Sequence, residues 1–183
     1  MLRTLPQAQD QRLVIRIAGI GIMLLVTVIS ARISIPIDPV PFTLQPLAML
    51  LAGMILGSRD GMLSQLAYVT LIAVGLPVDA NMRGQAALFG PTGGYLIGFV
   101  AAAFVSGWLV EKAGSRLLQR WLAGVVGILV LYALGLAVLM WVTRLDFASA
   151  WVAGAAPFFF ADLIKAFIAA GVTEGGRALL LRK

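Results

Sequence analysis

The sequence contains no cysteine and no histidine, and only 12% of its 183 residues are charged. Without cysteine there is no disulfide framework and no thiolate chemistry. Without either residue there is no zinc site of the Cys/His kind and no imidazole to act as a general base. Gly-Lys never occurs as a dipeptide, so the phosphate cradle G-x-x-x-x-G-K-[ST] that an ATPase needs is missing. Serines stand singly, outside any G-x-S-x-G elbow. The eight acidic residues lie mostly in loops, which argues against a carboxylate metal cage. Nothing here argues for an enzyme, and any ATP-driven movement of a solute must draw on another protein.

What the chain has in excess is apolar surface. Hydrophobic residues make up 61% of it and the mean hydropathy is +0.98, against about 45–50% apolar and about 25% charged residues in a soluble domain. The composition is that of an integral membrane protein. A helix needs about 20 mostly apolar residues to cross the hydrocarbon, and apolar segments occupy residues 13–31, 43–57, 61–75, 94–110, 121–142 and 157–172. The second and third are short and joined only by Ser58, Arg59 and Asp60, which reads as a tight helical hairpin or, alternatively, a re-entrant pair. The first is long for a signal-peptide core, and no small-x-small cleavage site follows it.

Basic residues set the orientation. With six spans and both termini inside, the cytoplasmic segments hold Arg3, Arg12, Arg16, Arg59, Lys112, Arg116, Arg120, Arg177, Arg182 and Lys183, and the outer loops hold only Arg32, Arg83 and Arg144. This asymmetry follows the positive-inside rule, so the net charge of +6 is a topology signal. The same residues are scattered over short loops with no aromatic-lined patch, which argues against nucleic acid as a partner.

The expected fold class is therefore an all-α membrane protein, a six-transmembrane-helix bundle with both termini in the cytoplasm, formed by one domain over residues 1–183. Two outer connections stand out. The first carries Pro36, Pro39 and Pro41 and should be stiff. The second, residues 76–93, is long for a small bundle; long ordered loops are usually functional, and this one is placed to cover a pocket as a lid. The small-residue pairs Gly53/Gly57, Gly57/Gly61, Gly94/Gly98 and Gly171/Gly175 suit close helix packing inside the bundle, or docking onto another membrane subunit.

The most informative residues are Asp162 and Lys165 in the last apolar segment. A charge at the centre of a membrane helix costs about 2.5–3.5 kcal/mol on insertion scales. The i, i+3 spacing puts both on one face, about 8–12 Å below the outer end of the helix from the rise per residue. Two readings stay open: a self-neutralising pair that fixes packing, or the polar floor of a ligand site. In the second, Lys165 offers a cation to an anionic group and Asp162 accepts from N–H donors. Asn81 and Arg83 in the long loop, Gln45 near the start of the second span and Tyr95 at the start of the fourth are placed to add polar contacts; Arg83 could equally be a solvated loop residue. Trp108, Trp121, Trp141 and Trp151 fall near span ends and read as interfacial anchors.

These residues also form recognisable runs. Pro41-Phe42-Thr43-Leu44-Gln45 precedes a short helix ending Leu56-Gly57. It is followed by Gly75-Leu76-Pro77-Val78, then Phe89-Gly90-Pro91-Thr92-Gly93-Gly94-Tyr95-Leu96-Ile97-Gly98-Phe99, and later by Pro157-Phe158 and Asp162-Leu163-Ile164-Lys165. In this order, over most of the chain, the sequence resembles the BioY family, the biotin-binding S component of energy-coupling-factor (ECF) vitamin transporters. The resemblance implies a six-helix S-component fold in a bacterial plasma membrane. It implies capture of biotin from the outside as transported ligand with no cofactor, and partners in a transmembrane coupling subunit and a pair of cytoplasmic ATPases. It carries the family's polar site residues onto Asn81, Asp162 and Lys165, with Gln45, Tyr95 and Arg83 as further members. Two departures are visible. The first helix has Ala18, Gly19 and Gly21, but Ile22, Met23 and Leu25 stand four residues on, where an A-x-x-x-A pattern is common. After Val78 the chain reads Asp79-Ala80-Asn81-Met82-Arg83, where the family usually has Phe-Ala-Gly. The rival readings are an S component for a different vitamin and a small membrane scaffold with a structural Asp162–Lys165 pair. Whether the chain acts alone, as a homo-oligomer or with energising subunits is left open by the sequence.

Overall fold

The structure is a computed structural model that describes residues 6–113 and 116–180; Arg3, Arg182 and Lys183 of the charge count lie outside the described residues. Helix α1 spans Pro6–Arg32, α2 Gln45–Leu56, α3 Ser58–Ala73, α4 Gly93–Ala113, α5 Leu117–Thr143, α6 Phe147–Gly154 and α7 Phe159–Leu180. Between α1 and α2 two short strands, β1 (Ser34–Ile35) and β2 (Phe42–Thr43), pair antiparallel with Ser34 opposite Thr43 and Ile35 opposite Phe42. The 76–93 loop contains a 3₁₀ turn over Gly84–Phe89.

Every expected apolar segment holds a helix, but the helices differ in reach. Among the described residues, α1, α4 and α5 are long and apolar enough to cross a membrane alone. A fourth crossing requires α6 and α7, which meet at a 55° bend, to count as one span. At 12 and 16 residues, α2 and α3 are about 18 and 24 Å long from the rise per residue, shorter than the roughly 30 Å hydrocarbon core. Helix α6 has no counterpart among the expected segments. Asp146 caps it, accepting from the Ser149 N–H at 3.0 Å, and its eight residues are too few to register as a span.

Helix α2 starts with Pro46 in its first turn, where the missing N–H costs nothing. It hands over to α3 through Gly57, whose φ of +85° L side chains rarely adopt. The freed N-terminus of α3 is closed from outside: the Glu111 carboxylate on α4 accepts from the Ser58 N–H at 2.6 Å and from its hydroxyl at 2.9 Å. Helices α2, α3, α4 and α5 pack at backbone distance. A Cβ on Gly107 would lie 2.6 Å from the Gly53 carbonyl oxygen, and one on Gly61 2.6 Å from that of Ala52. One on Gly94 would overlap the Leu134 carbonyl of α5. The Gly53, Gly57, Gly61, Gly94 and Gly98 spacing is thus internal packing, whereas Gly171 has nothing within 4 Å of its would-be Cβ and Gly175 likewise. That fourth pair does not pack inside the bundle.

Helix α1 lies on the outside. Leu13, Ile15, Ile17, Ile22, Leu25 and Ile29 are all more than half exposed, as a lipid-facing helix should be. Its inner face is tied to α3 by Arg16, which holds Asp60 through two bonds of 2.7 and 2.8 Å, and by Thr27, whose hydroxyl accepts from the Gln65 amide at 3.0 Å. The apolar core runs through Met49, Leu50, Ile72, Phe99, Ile128 and Leu131.

Candidate functional site

The β1–β2 hairpin, the 76–93 loop, the adjoining ends of α2, α4 and α7 and the middle of α5 line a cavity of about 590 Å³, its open mouth included. Its walls are apolar, from Val40, Phe42, Leu96, Phe99, Leu131 and Phe158, and the polar residues are Thr43, Gln45, Asp79, Asn81, Thr92, Tyr95, Tyr132, Asp162 and Lys165.

The bend before α7 builds the floor. The chain turns at Ala155–Phe158, and the Asp162 N–H bonds back to the Phe158 carbonyl at 2.8 Å. Asp162 therefore lies in the first turn of α7, where the helix dipole favours a carboxylate. One turn on, Lys165 donates to Asp162 Oδ1 at 2.7 Å and to the Thr43 carbonyl oxygen at 2.7 Å. Its Nζ stands 4.0 Å from the centroid of the Phe42 ring, a cation–π distance. The other oxygen, Asp162 Oδ2, accepts from the Tyr132 hydroxyl at 2.6 Å. With 2% and 4% of their surface exposed, Asp162 and Lys165 are a desolvated pair that satisfies itself through hydrogen bonds, as a buried charge must. It also joins α7 to α5 through Tyr132 and to β2 through Thr43.

A second set of bonds forms the wall beneath the loop. Gln45 Nε2 donates to the Tyr68 hydroxyl at 2.7 Å, and Tyr68 donates to the Val78 carbonyl at 3.1 Å. The Gln45 N–H donates to Thr43 Oγ1 at 3.2 Å. Buried Asp79 folds the loop on itself: Oδ1 accepts from the Gly84 N–H at 2.7 Å and Oδ2 from the Asn81 N–H at 3.1 Å. Asn81 is exposed and stands on the cavity rim.

The structure thus brings Asp162, Lys165, Gln45, Tyr95 and Asn81 to one cavity. Arg83 is solvent-exposed and does not line it, because the turn after Asn81 carries it away through Met82, at a φ of +54°. Tyr95 contributes its ring; its hydroxyl donates to the Gly154 carbonyl at the end of α6, at 2.8 Å. Both Asp162 oxygens are matched to a donor, and Lys165 to two acceptors.

Two residues escape the sequence reading. Tyr132 is the one tyrosine of α5, and a tyrosine in the middle of an apolar helix needs a partner for its hydroxyl. That was a usable signal, though the sequence does not name Asp162 as the partner. Asp79 lies two residues before Asn81, the spacing of a side chain bonding to the backbone two residues on, but its burial depends on how α1 and α3 hold the loop.

Comparison with known proteins fits this geometry. The BioY family profile matches residues 5–182. A biotin transporter BioY from Thermotoga maritima is 47% identical over 152 residues, covering 82% of this chain and 88% of that protein. A probable biotin transporter BioY from Pyrococcus horikoshii is 39% identical over 157 residues, 85% of this chain and 91% of that one. A biotin transporter BioY from Rhizobium etli is 41% identical over 158 residues, 81% of this chain and 82% of its own. In fold, the structure is similar to the 2.1 Å crystal structure of the S-component for biotin from an ECF-type ABC transporter, with a TM-score of 0.85 over 92% of this chain and 94% of that one, at 24% identity. From the proline-marked hairpin to the charged pair on the last helix, this is a protein of the BioY family.

Proposed function

We propose that this chain binds biotin in the outer cavity and carries it across the membrane as the substrate-binding S component of an ECF-type transporter. The observation that carries the reading is the floor: a carboxylate, an ammonium and a phenol converge at the base of an otherwise apolar pocket roofed by the 76–93 loop. Biotin matches that distribution, with two ureido N–H donors and a carbonyl, an apolar thiophane ring, and a carboxylate on a flexible chain. Asp162 supplies an acceptor and Lys165 a cation; Asn81 reaches the ligand from the rim, and Gln45 and Tyr95 complete the wall. The relatives at 39–47% identity are biotin transporters by name, which favours biotin over another vitamin.

The activity is binding and transport, with no covalent change to the ligand. In this reading one domain over residues 1–183 sits in a bacterial plasma membrane with α1, α2, α3, α4, α5 and the α6–α7 pair as six membrane-embedded units and both termini inside. The short α2 and α3 are held by close packing on α4, where a Cβ on Gly107 would meet Gly53 and Ser58. A transmembrane coupling subunit and a pair of cytoplasmic ATPases supply the energy for reorientation, since the sequence carries no G-x-x-x-x-G-K-[ST] phosphate cradle; a homo-oligomer is the alternative assembly, distinguished by the mass of the purified complex.

The test is calorimetric or radiolabelled biotin binding to purified full-length protein, beside Asp162→Asn and Lys165→Ala of confirmed fold. Tight binding that each substitution weakens by more than about tenfold, or 1.4 kcal/mol, supports the reading. A monodisperse wild type that binds no biotin refutes it and leaves another vitamin, or a scaffold whose charged pair only packs.

A further inference from the structure

The 76–93 loop roofs the cavity, yet its root is held from outside the cavity. Three successive carbonyls are each taken by a side chain from a helix. Arg32, the last residue of α1, donates through one terminal nitrogen to the Pro77 carbonyl at 3.0 Å and to the Asp79 carbonyl at 2.6 Å. Tyr68 of α3 holds the carbonyl between them, that of Val78, at 3.1 Å. Guanidinium bonds to a carbonyl are charge-assisted and stronger than neutral ones.

Beyond this anchor the loop makes a tight turn that would not hold unaided. Met82 and Gly84 have φ of +54° and +55°, Met82 donates its N–H to the Asp79 carbonyl at 3.1 Å, and the Asp79 carboxylate collects the Asn81 and Gly84 N–H groups. A left-handed non-glycine residue persists only where its surroundings over-determine it. The Asp79 carbonyl is shared by Arg32 and Met82, so Arg32 fixes the same residue whose side chain fixes Asn81.

We propose that Arg32 is a positioning residue for the ligand site. From the end of α1 it fixes Pro77 and Asp79, and through Asp79 it sets the turn that presents Asn81 over the cavity. Arg32 does not line the cavity; it acts through the loop. The proposal rests on the reading that a biotin-like ligand sits beneath this loop, and it fixes what keeps such a ligand in. The arginine's two bonds hold the loop in its place over the cavity, so their loss should speed escape more than entry.

Two measurements on the full-length protein test this. In the first, dissociation of labelled biotin is followed after a chase with unlabelled biotin, for wild type, Arg32→Ala and Arg32→Lys. Arg32→Ala should release biotin at least tenfold faster with an association rate within about twofold of wild type. Arg32→Lys should fall between, since its ammonium keeps the charge but its stem ends one atom short of the guanidinium's terminal nitrogen that meets both carbonyls. In the second, hydrogen exchange is read in the ligand-free protein. The Asn81 and Gly84 amides should exchange at least tenfold faster in Arg32→Ala, with α4 and α5 unchanged. An Arg32→Ala protein with wild-type release and wild-type protection of the turn overturns the proposal, and so does exchange accelerated equally across α4 and α5, which marks a general loss of stability. If wild type itself retains no biotin, the functional reading fails, and the exchange experiment still judges Arg32.

Discussion

Lys165→Met is the perturbation that best separates a site from a packing device. It removes the ammonium from between Asp162 Oδ1 and the Thr43 carbonyl, both at 2.7 Å, and leaves a carboxylate with 2% of its surface exposed supported only by Tyr132. Breaking a buried ion pair from one side costs about 3–5 kcal/mol, because the remaining charge stays desolvated. Adding Asp162→Asn removes that charge while its carboxamide oxygen still accepts from Tyr132. The double variant should therefore recover about 2 kcal/mol relative to the sum of the single effects, within the range of roughly 0.5–3 kcal/mol for residues in contact. Equilibrium unfolding in mixed micelles, on all four corners of the cycle, reads this coupling. Biotin binding, measured beside it, should stay weakened by more than about tenfold in the double variant, since neither charge is present to meet the ligand. A double variant that regains both stability and binding would show that the pair only packs helices. A single variant that costs less than about 1 kcal/mol would show that the pair is not desolvated as described.

Three further outcomes follow from the same geometry. Tyr132→Phe takes away one charge-assisted bond to Asp162, so stability should fall by about 1.5–3 kcal/mol, while Asp162→Asn made on top of it should cost less than it does in wild type. Gly135→Ala puts a methyl into the Tyr95 ring, which lines the cavity; biotin affinity should drop, and Tyr95→Leu in the same background should relieve the loss of stability. The Asp146 carboxyl is held below the ordinary carboxylate range by its bonds to Ser149. A depressed value means that the cap contributes at neutral pH and is lost as pH falls below the unfolded carboxylate range and through the depressed value. Protection of the Ser149 amide, taken relative to its intrinsic exchange rate at each pH, should fall over that acid window in wild type and be low at all pH in Asp146→Ala.

The membrane class, the positions of the long helices and the charged pair were legible because each rests on local sequence. An apolar run longer than the hydrocarbon thickness, or a lysine three residues after an aspartate inside such a run, constrains the chain without knowledge of its neighbours. The Pro-Phe-Thr-Leu-Gln and Gly-Pro-Thr-Gly-Gly-Tyr runs carried the family in the same way. What crosses between elements was not legible. Tyr132 lies 30 residues from Asp162 and the Thr43 carbonyl 122 from Lys165, and no spacing rule links positions that far apart. Arg83 and Tyr95 show the limit from the other side. Sequence placed both near the site, but a left-handed Met82 turns Arg83 out to solvent and α6, a helix too short to foresee, takes the Tyr95 hydroxyl. The sequence by itself determined that the protein lives in a membrane and which residues are too costly to bury alone. Only the tertiary structure decided who satisfies them, because a buried polar group is stabilised by whichever donor or acceptor the packing of distant helices brings within 3 Å.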